Sequence, residues 1–482
     1  MKTFKNIVSY FSSEVVIQII GFATLPVFAK YLSPKDFGII SLVLAFTGFF
    51  GILVGLGLSS GLGRIYFDYG KKDKKIYYST IMLSGILISL VFCIILHLNG
   101  TSIILILFPK SSINYYPFFL LGTISLFFDQ IAITSTYLLK SEKEGRWILR
   151  ISIITTILSL FFKIKFIVFD GLGAYGALLT IAFLSFFKSI LLFYATRNFF
   201  AFNFNYNMLK KTFPYAFPLI FYGIGGYLFR YSDRIVLEKF VPISLIGFYH
   251  IADRLSSVMK FLVNAINDAL SPDYLESSID NFKKTMEKYK NYLTIWFVCI
   301  SIFFLILDMS IELYIRLFFP KEYYFVLKLV PFLIAAYVFR GFYCFFINPI
   351  FFLKKVMWIP IITVFAGIAN IIINILFIPK YGIIIAACST MIAFIITALF
   401  AYALSKKFNA ISVDWSCISE IFFLGLTSAL LFYNLKNSLL IDSAIKALFI
   451  IILSVYFYKR NYGGLIRPFA RDFFHILRAR VN

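Results

Sequence analysis

Long apolar runs of 18–27 residues, separated by short polar breaks, dominate the chain. A helix of about 20 mostly apolar residues crosses a bilayer core roughly 30 Å thick. The runs predict about fourteen such helices, over 9–31, 38–60, 79–98, 115–139, 147–168, 174–196, 213–237, 243–269, 292–315, 326–352, 358–378, 383–404, 418–435 and 440–458. They are too long, and alternate too little, to be barrel strands. The chain therefore reads as an all-α integral membrane protein. The first run contains Glu14 and Gln18 and no small-residue cleavage site follows it, so it reads as a first transmembrane helix rather than a cleaved leader.

Composition sharpens this picture. Of 482 residues, 61% are hydrophobic and only 14% charged, against roughly 45–50% and 25% in soluble domains. A soluble enzyme, a disordered chain and a disulfide-rich secreted domain are excluded. The five cysteines are scattered, with no CxxC, and predict neither a metal site nor a disulfide framework. The net charge of +23 lies in the breaks between runs rather than in a basic stripe with interleaved aromatics, so no nucleic acid partner is expected. With the N-terminus inside, 28 of the 46 Lys and Arg fall in inner segments, which puts both termini in the cytoplasm. Trp147, Trp296, Trp358 and Trp415 then all start helices at the inner face, as an interfacial belt would. The hydrophilic stretch 271–291 reads as an amphipathic connector on that face.

The chain matches itself at an offset of 209. Lys2-Thr3-Phe4 falls on Lys211-Thr212-Phe213, Lys30 on Lys239, Gly38 on Gly247, Gly173 on Gly382 and Ala177 on Ala386. One offset over separated segments predicts two parallel six-helix bundles, 1–200 and 210–405, followed by two extra helices and a basic cytoplasmic tail over 406–482. Two bundles meeting at a cleft suit alternating access.

Ionisable residues inside spans mark function by default. The eighth run carries Asp253, Ser257, Lys260, Asn264 and Asn267 along one helical face. That stripe either lines a wet cavity or forms a hydrogen-bond ladder to another helix. The seventh carries Arg230, Asp233 and Arg234; Arg230 sits deeper, while Arg234 either faces the cavity or pairs near the outer interface. Arg254 and Arg340 add positive charge. Arginine offers a rigid fork for phosphate oxygens, so this surplus suits a phosphorylated ligand. In the first half, Lys188 is a further cavity candidate. Glu14 and Asp129 could serve proton or Na⁺ coupling, with Asp233 and Asp253 as further ion-coupling candidates, or pair structurally with Lys188. Asp308 and Glu312 are expected to snorkel to the outer interface. No catalytic constellation, metal cluster or cofactor motif is present in the sequence.

Three segments carry a family resemblance. They are Leu32-Ser33-Pro34-Lys35-Asp36-Phe37-Gly38-Ile39; Asp233-Arg234-Ile235-Val236-Leu237 with Ile246-Gly247-Phe248-Tyr249; and Asn370-Ile-Ile-Ile-Asn374 through Ile378-Pro379-Lys380-Tyr381-Gly382 to Ala386-Ala387 and Thr390. Together they resemble the polysaccharide-transporter branch of the MOP (multidrug/oligosaccharidyl-lipid/polysaccharide) superfamily. One departure is Ile385, where a glycine is usual. The resemblance implies a MATE-like fold and a Wzx-type flippase of the bacterial inner membrane. Such a protein moves an undecaprenyl-pyrophosphate-linked oligosaccharide for O-antigen or capsule synthesis. Its partners would be that lipid-linked oligosaccharide, membrane lipids, a polysaccharide polymerase and a chain-length regulator. A MATE-type multidrug exporter and a lipid II flippase are the alternatives. An enzyme is not expected: Asp-x-Asp is absent and no loop is large enough for a polymerase.

Overall fold

The computed structural model describes residues 18–110, 113–276, 282–352, 358–408, 439–457 and 459. These residues form helices and connectors without a strand. In chain order the helices are α1 (Gln18–Ala29), α2 (Pro34–Val54), α3 (Leu58–Ile65), α4 (Lys71–Leu107), α5 (Leu120–Ser141), α6 (Gly145–Lys163), α7 (Gly173–Thr196) and α8 (Tyr206–Phe240). They continue as α9 (Ile243–Glu276), α10 (Phe282–Phe318), α11 (Val330–Phe352), α12 (Trp358–Tyr381), α13 (Ile384–Lys407) and α14 (Leu439–Phe457). Among the described residues, nine helices are long and apolar enough to cross a membrane. The span expected at 418–435, together with Glu14 and Trp415, lies outside the described residues.

Several helices start where the apolar pattern puts them, including α9 at Ile243 and α12 at Trp358. Others run well past it. The run at 79–98 is the middle of the 37-residue α4, and the run at 292–315 that of the 37-residue α10. The expected connector at 271–291 is largely helix, since α9 reaches Glu276 and α10 begins at Phe282. Backbone hydrogen bonds do not stop at the hydrocarbon boundary, so polar turns extend a helix into the interface. The expected helix at 38–60 is instead two, α2 and α3. Leu56 (φ 43°) and Gly57 (φ 70°) are left-handed, which a continuous right-handed helix does not allow.

The chain divides into two compact units, Met1–His250 and Ile251–Asn482, with the boundary inside α9. In the first, α5 packs extensively on α7, α6 on α7, and α8 on α2 and α3. In the second, α11 packs extensively on α13, α12 on α13, and α14 on α10. An offset of 209 sets 120–141 beside 329–350 and 173–196 beside 382–405, so α5 with α7 and α11 with α13 occupy equivalent positions in the sequence.

Most hydroxyls buried in these helices bond within the fold, as an apolar solvent demands. Thr134, Thr180 and Thr390 each donate to the carbonyl four residues back. Trp296 departs from the interfacial belt: it is buried, tilted against Phe345 and edge-on to Phe342, and its ring fills the place of a Cβ at Gly341. Trp147 and Trp358 are exposed, as a belt requires.

Candidate functional site

The segments that carry the family resemblance are fasteners. Ser33 and Asp36 form a reciprocal capping box at the start of α2, with Pro34 in its first turn. The Asp36 carboxylate also accepts a hydrogen bond from the Ala174 amide at 3.1 Å, so one acid caps α2 and the N-terminus of α7. Gly38 and Gly247 let α2 and α9 touch through their backbones. A Cβ on Gly38 would overlap the Ile243 carbonyl, and one on Gly247 the Pro34 carbonyl.

Asp233 and Arg234 make a buried ion pair at 2.8 Å, each residue only 3% exposed. The same guanidinium donates to the Arg230 carbonyl and lies 5.1 Å from the centre of the Tyr249 ring. Asp233, Arg234 and Tyr249 are thus one cluster. The pairing reading, rather than exposure, describes Arg234. Arg230 is exposed.

Asn370, Asn374 and Ser389 close a buried ring between α12 and α13. Asn374 donates to Asn370 (3.0 Å), Asn370 to Ser389 (3.3 Å), and Ser389 to Asn374 (2.6 Å). Each amide and the hydroxyl satisfies the next, so three polar side chains lie in an apolar interior with little cost.

The other candidates fall in two separate places. In the first unit, Asp129 on α5 is half-buried, accepts a hydrogen bond from Ser185 on α7, and feels the charge of Lys188 one turn further along. Lys188 itself is exposed.

In the second unit, the polar stripe of α9 meets α11. Tyr337 donates to Asp253 (2.6 Å), Arg340 to Asn264 (2.7 Å) and Asn348 to Asn267 (2.9 Å). Ser257 bonds back to the Arg254 carbonyl. The stripe is therefore a ladder in parallel register. Asp253, Lys260, Asn264 and Arg340 are only half-buried and Arg254 is exposed, so the ladder keeps an accessible edge.

One polar cluster departs from the sequence reading and a second escapes it. Asp308 and Glu312 do not simply snorkel. Glu312 bonds both Arg316 (2.9 Å) and the buried Lys446 of α14, and Lys446 acts on Asp308 electrostatically. The run Tyr77-Tyr78-Ser79-Thr80 puts four consecutive hydroxyls on α4. They bond Thr212, then Ser135 and Thr196, then the amides of Ala201 and Asn205, and so latch the 197–206 connector to the first unit. Four hydroxyl residues opening an apolar run were the available signal. Beside them Tyr66 donates to Glu142 at 2.7 Å; burial and that carboxylate hold the phenol well above its ordinary pKa, so it remains a donor. Among the described residues, no group of His, Cys, Asp and Glu could hold a metal.

Long apolar helices with ionisable side chains in or beside their interiors define a multi-pass membrane protein. The chain belongs to the polysaccharide biosynthesis protein family, the polysaccharide-transporter branch of the MOP superfamily, whose model matches residues 3–278, more than half its length. A relative from Haloferax volcanii, the probable low-salt glycan biosynthesis flippase Agl15, is 24% identical over 223 residues, or 45% of this chain and 47% of that protein. The chain thus spans about half the length of that relative. The Lsg locus protein 1 of Haemophilus influenzae is 23% identical over 365 residues, 68% of this chain and 81% of that protein. Among solved structures, lipid II flippase MurJ in an inward closed conformation superposes with a TM-score of 0.75 at 20% identity, covering 94% of this chain and 99% of that one. An inward-facing MATE-family multidrug resistance transporter gives 0.62 at 13%, covering 81% and 94%. At these identities the likeness to solved structures is one of fold. The role printed for the Haloferax volcanii relative is that of a flippase.

Proposed function

We propose that the protein is a flippase carrying an undecaprenyl-pyrophosphate-linked oligosaccharide from the inner to the outer leaflet of the bacterial inner membrane, for O-antigen or capsule synthesis. The observation that carries this reading is an imbalance in which charges are exposed. Asp233 is bound by Arg234, Asp253 by Tyr337 and Asp129 by Ser185. Arg230, Lys188 and Arg254 are exposed. The exposed surplus is positive and suits a pyrophosphate. A MATE-type exporter of cationic drugs would need the reverse.

In this reading the two six-helix bundles, 1–200 and 210–405, alternate access to a basic cleft. Arg230, Arg254, Lys260, Asn264, Arg340 and Lys188 meet the phosphate and sugar, with Arg234 held behind Arg230. The polyprenyl tail stays in lipid. Expelling negative charge from a negative-inside cell is downhill by about 2.3 kcal/mol per charge per 100 mV. Proton or Na⁺ coupling would fall to Asp129 or Asp253, or to Glu14. A polymerase and a chain-length regulator would receive the product.

Charge reversal tests the assignment. Arg230→Glu with Lys260→Glu should abolish surface polysaccharide while the protein still inserts and accumulates in the membrane; normal polysaccharide would reject it. A lipid II flippase is the second reading, supported by the MurJ-like fold. It would make depletion lethal by lysis rather than cost only surface polysaccharide.

A further inference from the structure

The first four turns of α8 have two unlike faces. Thr212 and Ala216, both fully buried, press on Gly61 and Gly57 of the α2–α3 region, and a Cβ on Gly57 would overlap the Ala216 carbonyl. This face is locked. The opposite face is an open trough of about 510 Å³ whose wall includes Tyr206, Lys210, Phe213, Pro214, Phe217 and Pro218. Phe213 and Phe217 are 41% and 47% exposed.

An exposed aromatic face on a membrane helix ordinarily just meets lipid tails. Two features set this one apart. Pro214 and Pro218 have no amide hydrogen, so the carbonyls of Lys210 and Pro214 lose the donor one turn ahead. At the membrane boundary a carbonyl freed in this way is open to a hydroxyl or water donor. Lys210 stands in the wall and Lys211, also exposed, follows it. The 35-residue α8 is about 52 Å long, well beyond a roughly 30 Å core, so its first turns reach the headgroup layer. The charge asymmetry makes that the inner layer.

The geometry points to a docking trough for the head of a polyprenyl-linked sugar phosphate at the inner leaflet, used before the ligand reaches the basic residues further along the helices. The phosphate pairs with Lys210. Sugar hydroxyls donate to the freed carbonyls, and the C–H face of the sugar lies on Phe213 and Phe217. This rests on the flippase reading and adds to it a loading site on α8.

The test is binding to the full-length protein in nanodiscs, with undecaprenyl-pyrophosphoryl-N-acetylglucosamine and phosphatidylglycerol as separate probes read by native mass spectrometry. Lys210→Glu and Phe217→Ala should each weaken the polyprenyl probe on the order of tenfold, Lys210→Arg should retain it, and phosphatidylglycerol should be unaffected. Both side chains are exposed, so neither change threatens folding. Equal losses for both lipids would mean a general anionic-lipid surface and overturn the proposal. Unchanged binding of the polyprenyl probe would overturn it too, with the flippase reading intact. Failure of the unsubstituted protein to bind the polyprenyl probe at all would remove the flippase reading and this one together.

Discussion

Gly247 packs against the carbonyl of Pro34, and at an offset of 209 residues in both directions Gly38 packs against the carbonyl of Ile243. The contact is reciprocal: each helix contributes a glycine and a carbonyl to the other. Neither position leaves room for a side chain. Gly247→Val should therefore cost at least the 1–3 kcal/mol typical of overpacking, and lower the thermal unfolding midpoint in detergent by several degrees. At Gly226, on the same unit, an added Cβ would meet nothing within 4 Å. Gly226→Ala should hold or raise the midpoint, since alanine favours the helix by about 0.5–1 kcal/mol.

The Asn370–Asn374–Ser389 ring predicts a different signature. Asn374→Ala strands a donor and an acceptor in the interior, which costs about 1–3 kcal/mol. Adding Ser389→Ala should cost much less than it does alone, because the partners are already lost. The coupling is measured by unfolding the two single variants and the double variant. Strict additivity would mean that the three residues do not act as a unit.

Arg230 and Arg234 are four residues apart but should respond oppositely. Arg234→Ala leaves the Asp233 carboxylate buried without its cation, a loss of about 3–5 kcal/mol, and the protein should fail to accumulate. Arg230→Ala should accumulate normally and lose transport. Membrane protein level by immunoblot, beside surface polysaccharide, separates the two.

Lys446 joins α14 to α10 through Glu312. Lys446→Met should free α14 to open locally, seen as faster hydrogen exchange over 439–457 with little change over α12. Exchange unchanged in α14 would show that its apolar packing alone secures it.

The sequence made the helices legible because apolar runs respond to membrane thickness, and starts such as Ile243 and Trp358 follow directly. Lengths were less legible: the ends of α4 and α10 lie in polar sequence that hydropathy does not register. The break at Leu56–Gly57 depends on two backbone angles, and the burial of Trp296 on the small Gly341 opposite it. At the site, one-face spacing found the α9 stripe, but periodicity says nothing about what a stripe meets; Tyr337 and Asn348, and the pairing of Arg340 with Asn264, came only with the neighbouring helix. The engagement of Glu312 by Lys446 joins residues 134 positions apart. The recurring motifs were visible as motifs, while their work as caps, close contacts and buried rings was not.

Transport of a lipid-linked glycan is tested on the lipid itself. The gene is deleted in its host, lipid-linked intermediates are extracted, and their leaflet is assigned by accessibility to an impermeant probe. A complete repeat unit should be stranded at the cytoplasmic face, with surface polysaccharide lost and both reversed by the intact gene. Absence of any stranded intermediate, with a gain in sensitivity to cationic drugs, would contradict it.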